Sequence, residues 1–392
     1  MANTEFYDQI YRDVDKISWK DVFSECGRKH TKEDREYALL AGTSVDTATE
    51  ATMLRKWQKP WLFLPLLLGG AGLIAAIYLV VYACIRIFDG CGIVALNLLF
   101  VVVPPLIFPL VLMVFFWELN IPRNISIWKM LGYFLVGGMM SIFVTLIVGM
   151  FTPEGGASYA PFSEEPGKLL AALVFLWLFS RSGKKVYGMT GLAIGAAVGA
   201  GFGGFESAQY AYNMIDWSWL GGFYIFDEIF GVIVKNELLR GVLSLGGHTL
   251  FCAPYAAAVA LHMKDSKLSL ESFLNVDFAI TFGCSFLMHF LWNSDLGIGW
   301  LQYPIVIVVL WFSTLYITRK CFRQVVEVGR GGRAVLPAGS MAMTLTLQCV
   351  SGPATGAVWQ FGGSEVLVLG RDAGCTIKIP GGTAGVSKHH CS

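Results

Sequence analysis

Long apolar runs separated by short polar connections dominate the chain between residues 61 and 318. A membrane-spanning helix needs about 20 predominantly apolar residues. Eight runs approach or reach this length, which predicts an all-α polytopic membrane protein with about eight transmembrane helices. The predicted spans are 61–88, 93–117, 127–151, 167–179, 186–212, 238–263, 276–292 and 300–318, of which the fourth and seventh are short. Residues 219–234 are apolar but broken by Asp227 and Glu228, which predicts an interfacial or re-entrant segment.

The connections between the predicted spans alternate between rich and poor in Lys and Arg. Cytoplasmic loops of membrane proteins are enriched in Lys and Arg. Every second connection carries such residues, and the segment before the first span is also basic, which predicts a multi-pass protein of the cell membrane with both termini cytoplasmic. The connecting residues that carry the pattern are Arg123, Lys129, Arg181, Lys184, Lys185, Lys264, Lys267, Arg319, Lys320 and Arg323.

Composition agrees with a membrane protein and argues against one class of function. Hydrophobic residues make up 55% of the 392 residues and charged residues 15%, which is more apolar than a soluble core requires. The net charge of +1 gives no sign of nucleic-acid binding. No signal peptide is visible at the N-terminus, so the first span is expected to direct insertion.

Two flanking segments differ in composition from the membrane domain at residues 61–318. Residues 1–60 are predicted to form a cytoplasmic helical segment, with a helix start at Thr31 that is followed by Glu33 and Asp34. Residues 319–343 contain the Gly, Pro and Ser typical of a linker. Residues 344–392 alternate apolar and polar positions in short runs, which predicts the beginning of a β-sandwich.

Ionisable residues recur inside or at the rims of four separate predicted spans: Glu164, Glu165, Glu206, His248 and His289. Burial of an ionisable side chain in the hydrocarbon core of a membrane costs roughly several kcal/mol. Such a residue is therefore by default a candidate functional residue. With spans that alternate in direction, all five residues fall in the outer half of the membrane.

Helical spacing sorts these residues onto polar stripes, because residues four apart share a helix face. Glu164 shares a face with Lys168, and His289 shares one with Asn293. The run of small residues at 195–204 allows close helix packing in lipid, which would draw Glu206 toward the bundle centre.

Carboxylates and imidazoles on neighbouring helices suit a divalent metal, zinc being the first choice, with one carboxylate left as a general base. Two other interpretations remain open from the residues alone. Each side chain is also explained as an interhelical hydrogen-bonding group, which is the better explanation for any one of them taken singly. An ion or proton pathway uses similar residues, although no inverted repeat typical of transporters is evident.

Four motifs in order resemble the PrsW-type intramembrane proteases, which are relatives of the CAAX prenyl endopeptidases. They are EEPGK from Glu164 to Lys168, FGGFE from Phe202 to Glu206, His248 in GGHTLFCAPYA, and HFLWN from His289 to Asn293. Where the family often has HxxxD, this chain has Asn293, with Asp295 two residues on.

The resemblance implies a glutamate-dependent, metal-assisted peptidase that cuts membrane-embedded or juxtamembrane protein substrates in the lipid bilayer. It implies catalytic roles for Glu164, Glu165 and Glu206, with Glu164 or Glu165 as the base. It also implies that Glu206, His248 and His289 bind the metal or stabilise the oxyanion. Arg240 is expected to neutralise a glutamate or a substrate carboxylate, or to extend its charged end to the membrane interface.

The C-terminal sequence resembles a forkhead-associated (FHA) domain that stops about halfway. The motif residues are Gly370, Arg371, Ser387 and His390. The resemblance implies a phosphothreonine-binding site at Arg371 and Ser387, supported by His390, that would recruit a phosphorylated protein if the domain were completed. The alternative to a peptidase is therefore a catalytically inactive relative that serves as a membrane-anchored scaffold for phosphorylated partners.

Overall fold

The computed structural model describes residues 19–46, 48–50, 52–153, 155–214 and 224–334, together with five short strands beyond them; side chains are described up to residue 330. The chain divides into two units, Met1–Gly331 and Gly332–Ser392. The described helices are α1 (Trp19–Val22), α2 (Lys32–Leu39), α3 (Met53–Lys56), α4 (Phe63–Phe88), α5 (Val94–Leu119), α6 (Ile127–Gly149), α7 (Pro161–Arg181), α8 (Gly188–Asn213), α9 (Asp227–Leu243), α10 (His248–Leu261), α11 (Val276–Asn293) and α12 (Gln302–Ala334).

The short helices before the first span begin where side chains can cap them. The Thr31 hydroxyl accepts a hydrogen bond from the Asp34 amide at 3.2 Å, and the Asp34 carboxylate accepts one from the Thr31 amide at 2.8 Å. This reciprocal capping box satisfies two amides that the first helical turn otherwise leaves unpaired. The predicted helix start at Thr31 is confirmed.

The prediction of about eight spans is wrong, as judged from the length and composition of the helices. Within the described residues, six segments are long and apolar enough to cross a membrane: α4, α5, α6, α8, Asp227–Leu261 and Gly299–Arg330. The segment Asp227–Leu261 joins α9 and α10, so Asp227 and Glu228 begin a candidate span and not a separate interfacial segment.

The two predicted spans that fail are α7 and α11, the short fourth and seventh runs. Both are helices, but ionisable residues interrupt their apolar sequence: Glu164, Glu165, Lys168 and Arg181 in α7, and Asp277 and His289 in α11. Glu165, Lys168 and His289 are buried against protein and not exposed to lipid.

A stripe of glycines brings α8 unusually close to α10. A Cβ atom at Gly191 would lie 2.5 Å from the carbonyl oxygen of Ala256, and one at Gly199 would lie 2.2 Å from that of His248. Only glycine permits this approach without displacement of the backbone. The predicted close packing of the small-residue run is confirmed, and it fixes the start of α10 against α8.

The first two spans are joined at one end by Glu118. Its carboxylate accepts hydrogen bonds from the amides of Trp61 and Leu62 at 2.9 and 2.7 Å and from that of Phe63 at 2.9 Å. Amides in the first turn of a helix lack partners within the helix. Glu118, near the end of α5, therefore caps the beginning of α4, and the two span ends lie at the same level.

The prediction of an FHA-like β-sandwich is also wrong. Beyond α12 the described residues form five strands of two to four residues: β1 (Leu345–Gln348), β2 (Val358–Phe361), β3 (Leu369–Gly370), β4 (Ile377–Lys378) and β5 (His389–Cys391). β1 pairs with β2 antiparallel, while β3 pairs with β4 in parallel and with β5 antiparallel. A sandwich needs two sheets packed face to face over one core, and these strands supply only short ladders.

The predicted phosphate-binding residues accordingly receive no support. Arg371 and Ser387 lie outside the described residues, and the side chain of His390 is not described. A phosphothreonine partner and the scaffold alternative that depends on it therefore have no structural basis. Residues 319–334 of the predicted linker are helical, because α12 continues to Ala334.

Candidate active site

A cavity of about 300 Å³ lies among α7, α8, α9, α10 and α11. Its wall contains five of the residues predicted to carry chemistry: Glu164, Glu206, Arg240, His248 and His289. Asn293, one turn after His289 on α11, also lines it. The fold therefore brings together on one cavity the polar stripes that the sequence places on separate helices.

Glu165 lies behind the cavity wall and is fully buried. Its Oε1 accepts hydrogen bonds from Lys168 Nζ at 2.6 Å and from His289 Nδ1 at 2.6 Å, and its Oε2 accepts one from the Tyr255 hydroxyl at 3.2 Å. Three donors satisfy this carboxylate. Because Nδ1 of His289 donates its proton to Glu165, its Nε2 carries the lone pair that faces the cavity.

His248 is held in the corresponding way by Glu206. The Nε2 atom of His248 lies 3.0 Å from Glu206 Oε2, and its Nδ1 lies 2.9 Å from Lys168 Nζ. A protonated lysine only donates, so Nδ1 is the acceptor and Nε2 carries the proton given to Glu206. The same Glu206 oxygen accepts a bond from Arg240 Nη2 at 2.7 Å, and Arg240 Nε donates to the Ser207 hydroxyl at 2.9 Å.

Glu164 occupies the place between the two imidazoles. Its Oε2 lies 3.6 Å from His289 Nε2, 3.7 Å from His248 Nδ1 and 3.7 Å from Lys168 Nζ. This oxygen is buried and makes no hydrogen bond among the described residues. A buried acceptor without a donor destabilises the folded state by about 1–3 kcal/mol. A bound ligand or protonation of this carboxylate would remove that cost.

Glu164, His248 and His289 form a group able to hold a metal ion, since one ligand atom from each lies within 4.8 Å of the others. Tetrahedral zinc with ligand bonds of about 2.0–2.2 Å separates its ligands by roughly 3.3–3.6 Å. The two Glu164-to-histidine distances are close to this range. Each histidine also donates its other ring proton to a glutamate, as zinc-bound histidines generally do. The donor set fits a divalent metal.

The geometry groups the residues differently from the sequence prediction, which placed Glu206 among the metal ligands. Glu206 contacts the far nitrogen of His248 and pairs with Arg240, while Glu164 faces the near nitrogens of both imidazoles. Lys168 lies against His248 Nδ1 and would have to move away from this nitrogen for an ion to bind it.

Three aromatic residues that sequence reasoning did not assign complete the surroundings. Lys168 Nζ lies 4.8 Å from the ring centre of Phe202 and 5.4 Å from that of Phe251. Phe251 stacks on His289 with ring centres 4.6 Å apart. Tyr255, two helical turns after His248, donates to Glu165. Their positions in the sequence could have identified them. Phe202 lies on the helix face of Glu206, and Phe251 and Tyr255 lie on the face of His248, all within the motifs that resemble the family.

Comparison with known protein families finds one match. Residues 125–317 match the model of the PrsW family of intramembrane metalloproteases, a segment slightly shorter than half of the chain that includes every described residue of the cavity wall except Pro109. No curated protein and no solved structure matches the chain. The protein is a multi-pass membrane protein and a PrsW-like intramembrane endopeptidase.

Proposed function

We propose that this protein hydrolyses peptide bonds in membrane-embedded or juxtamembrane protein substrates, with the attacking water held at Glu164. The observation that supports this most directly is the unpaired Oε2 atom of Glu164, which faces the lone pairs of two imidazoles at the wall of a cavity. Three acceptors converge here and only His248 Nδ1 has a donor, Lys168 Nζ at 2.9 Å, which favours a cation, a water or both at this point.

The donors of a divalent metal, zinc by our proposal, are Glu164, His248 and His289. When bound, such an ion polarises a carbonyl oxygen and lowers the pKa of a coordinated water toward about 7. Glu165 orients His289 through Nδ1, and Glu206 orients His248 through Nε2. These two glutamates fix which nitrogen of each imidazole faces the cavity.

Proton transfer from the water is assigned to Glu206. This residue lines the cavity, its Oε2 accepts the bonds from His248 and Arg240, and its Oε1 has no partner among the described residues. Glu165 is unsuited to this role because three donors already occupy its oxygens behind the wall. Asn293 adds an amide to the cavity, a group able to donate to a substrate carbonyl oxygen.

The proposed orientation places both termini on the cytoplasmic side and the cavity toward the outer half of the bilayer. Residue 184 lies at the same end of the helices as the N-terminal segment, because Lys184 Nζ donates to the carbonyl oxygens of Gly42 and Asn124 at 2.9 Å each. Residue 267 lies at this end too, since the Ser180 hydroxyl donates to the Ser266 carbonyl oxygen at 2.6 Å. The basic residues gathered at this end support its cytoplasmic placement. Labelling of single cysteines at residues 184 and 267 by a membrane-impermeant reagent in intact cells should fail and should succeed after lysis. Labelling in intact cells would reverse the orientation.

The activity is tested with Glu164→Gln in purified protein reconstituted into liposomes with single-span peptide substrates. Loss of a carboxylate that positions the attacking water should reduce kcat about 10³-fold. The matched control is Glu237→Gln, a buried glutamate that accepts a hydrogen bond from Tyr78 away from the cavity wall. Equal activity in Glu164→Gln and wild type would overturn the proposal, and equal loss in both variants would indicate a general effect on folding.

Measurement of the metal content distinguishes a metal-assisted mechanism from one that uses glutamate alone. Mass spectrometry of the detergent-purified chain should find about one divalent ion per chain, lost in His248→Ala and in His289→Ala alike. Retention of the ion in both variants would place it elsewhere. Active protein free of metal would leave the two glutamates of the cavity wall, Glu164 and Glu206, to activate the water without an ion.

A further inference from the structure

A second cavity, also of about 300 Å³, lies in the N-terminal segment immediately before the first span. Its described lining residues lie within 25–37 and 55–61, and none of them lines the protease cavity. Among the residues that the structure describes, its wall contains five Lys and Arg side chains but two carboxylates, Glu25 and Asp34. The five cations are Arg28, Lys29, Arg55, Lys56 and Lys59. The excess of positive charge suits an anionic ligand.

The carboxylates leave part of this charge unneutralised. Arg28 pairs with Glu25 at 2.9 Å, and the Asp34 carboxylate is used to cap α2. Neither Lys29 nor Arg55 forms a hydrogen bond or an ion pair among the described residues. Two cations of the wall are therefore available to a ligand.

A third cation, Lys59, is buried with 6% of its surface exposed, and its Nζ lies 3.0 Å from the Ser24 hydroxyl. Burial lowers the pKa of Lys59 from its ordinary value because the charged form loses hydration. The carboxylates of Glu25 and Asp21 offset part of this cost, and a bound anion would add a further opposite charge at close range.

The cavity lies at the level where the first two spans end. Arg55, Lys56 and Lys59 directly precede α4, which begins at Phe63, and Glu118 at the end of α5 caps that beginning. Trp57 and Trp61 line the same cavity, and His30 stacks on Trp61 with ring centres 3.7 Å apart. Tryptophan and clusters of basic residues beside a span are typical of the headgroup layer of a membrane.

We propose that this cavity binds the phosphate of an anionic phospholipid headgroup. The phosphate accepts charge-assisted hydrogen bonds from Lys29 and Arg55, and the acyl chains remain in the bilayer beside α4. A free phosphate compound has the same headgroup chemistry, but the position of the cavity at the end of two spans favours the lipid. A lipid in this cavity contacts both segments of its wall, residues 25–37 and 55–61.

The test uses the full chain in detergent and native mass spectrometry with added phosphatidylglycerol or phosphatidylcholine. Phosphatidylglycerol should bind with a dissociation constant at least tenfold lower than phosphatidylcholine, and the double variant Lys29→Ala, Arg55→Ala should weaken that binding by roughly tenfold or more. The matched control is the double variant Lys32→Ala, Arg35→Ala, which removes two positive charges from the exposed face of α2 outside the cavity. This control should bind phosphatidylglycerol like the wild type.

Three outcomes would overturn the proposal. Equal binding of the two lipids by the wild type would show that the cavity does not select an anionic headgroup. Equal weakening in both double variants would show that overall surface charge attracts the lipid. Competition of inorganic phosphate or glycerol 3-phosphate at the concentration that saturates phosphatidylglycerol would identify a soluble phosphate as the ligand. Melting temperatures without lipid should agree among the variants, and Arg55→Gln alone provides a milder variant if the double one fails to fold.

Discussion

Helix α11 carries a histidine–carboxylate contact near each end, and the two differ in what surrounds the carboxylate. Near its beginning, Asp277 accepts hydrogen bonds from Tyr316 and Lys320 on α12 at 2.6 Å each, and its Oδ2 lies 3.0 Å from His262 Nε2. Near its end, His289 contacts Glu165 and faces Glu164. By a rise of about 1.5 Å per residue, the two ends lie roughly 18 Å apart.

The Asp277 cluster is complete, since each carboxylate oxygen has a donor. The Glu164 cluster is incomplete, because Oε2 of Glu164 is buried without a donor at the wall of a cavity. Both clusters contain a histidine, a carboxylate and a lysine, so residue types alone do not distinguish them. The difference is that a satisfied cluster joins helices, whereas an unsatisfied acceptor beside a cavity is available to a ligand or a reaction.

The largest difference between the clusters should appear when each loses its lysine. Lys168 is fully buried, so Lys168→Met leaves the Glu165 carboxylate buried without its cation and should lower the free energy of unfolding by about 3–5 kcal/mol. The side chain of Lys320 is 38% exposed, so Lys320→Met should cost less than about 1 kcal/mol. Titration with a denaturing detergent in mixed micelles measures both. Equal losses would mean that burial does not separate the two ion pairs.

A smaller difference is expected when each cluster loses a negative charge. Asp277→Asn removes a carboxylate that three donors satisfy and should destabilise the protein by about 1–3 kcal/mol, with peptidase activity retained. Glu164→Gln removes a carboxylate whose Oε2 makes no hydrogen bond and lies 3.7 Å from Lys168 Nζ, so it should leave the free energy of unfolding nearly unchanged while activity is lost. Loss of activity in Asp277→Asn at unchanged stability would show that the two ends of α11 are functionally coupled.

Several residues that the sequence singled out line one cavity, because membrane burial makes polar residues conspicuous in the sequence. Glu164, Glu206, His248 and His289 stand out in apolar runs, and helical periodicity places each on a defined face. Which nitrogen of each imidazole faces which glutamate depends on the rotation and crossing of α7, α8, α10 and α11. Contacts between helices, such as that of Gly199 with His248, set the rotation and crossing of these helices. The periodicity of a single helix carries no information about such contacts.

The predicted number of spans failed for a related reason. Apolar length was taken as evidence of contact with lipid, but α7 and α11 bury their polar residues against protein, where Lys168 and His289 find partners. The Asp277 cluster was not predicted, because His262, Tyr316 and Lys320 lie at the ends of runs that read as ordinary interfacial sequence. The FHA-like sandwich failed because short β-prone runs specify strand propensity but not two sheets that pack.

The smallest expected effects come from the two tyrosines, which each donate to one of the compared clusters. Tyr316→Phe removes a bond of 2.6 Å to Asp277 and should lower the free energy of unfolding by about 1 kcal/mol without change in kcat. Tyr255→Phe removes a longer bond of 3.2 Å to Glu165 and should cost less stability, yet it should reduce kcat several-fold because Glu165 orients His289. Unfolding titrations and kcat measured on the same preparations test the pair. A loss of kcat in Tyr316→Phe that matches the loss in Tyr255→Phe would contradict the proposal that Asp277 is structural and that Glu165 orients the His289 imidazole.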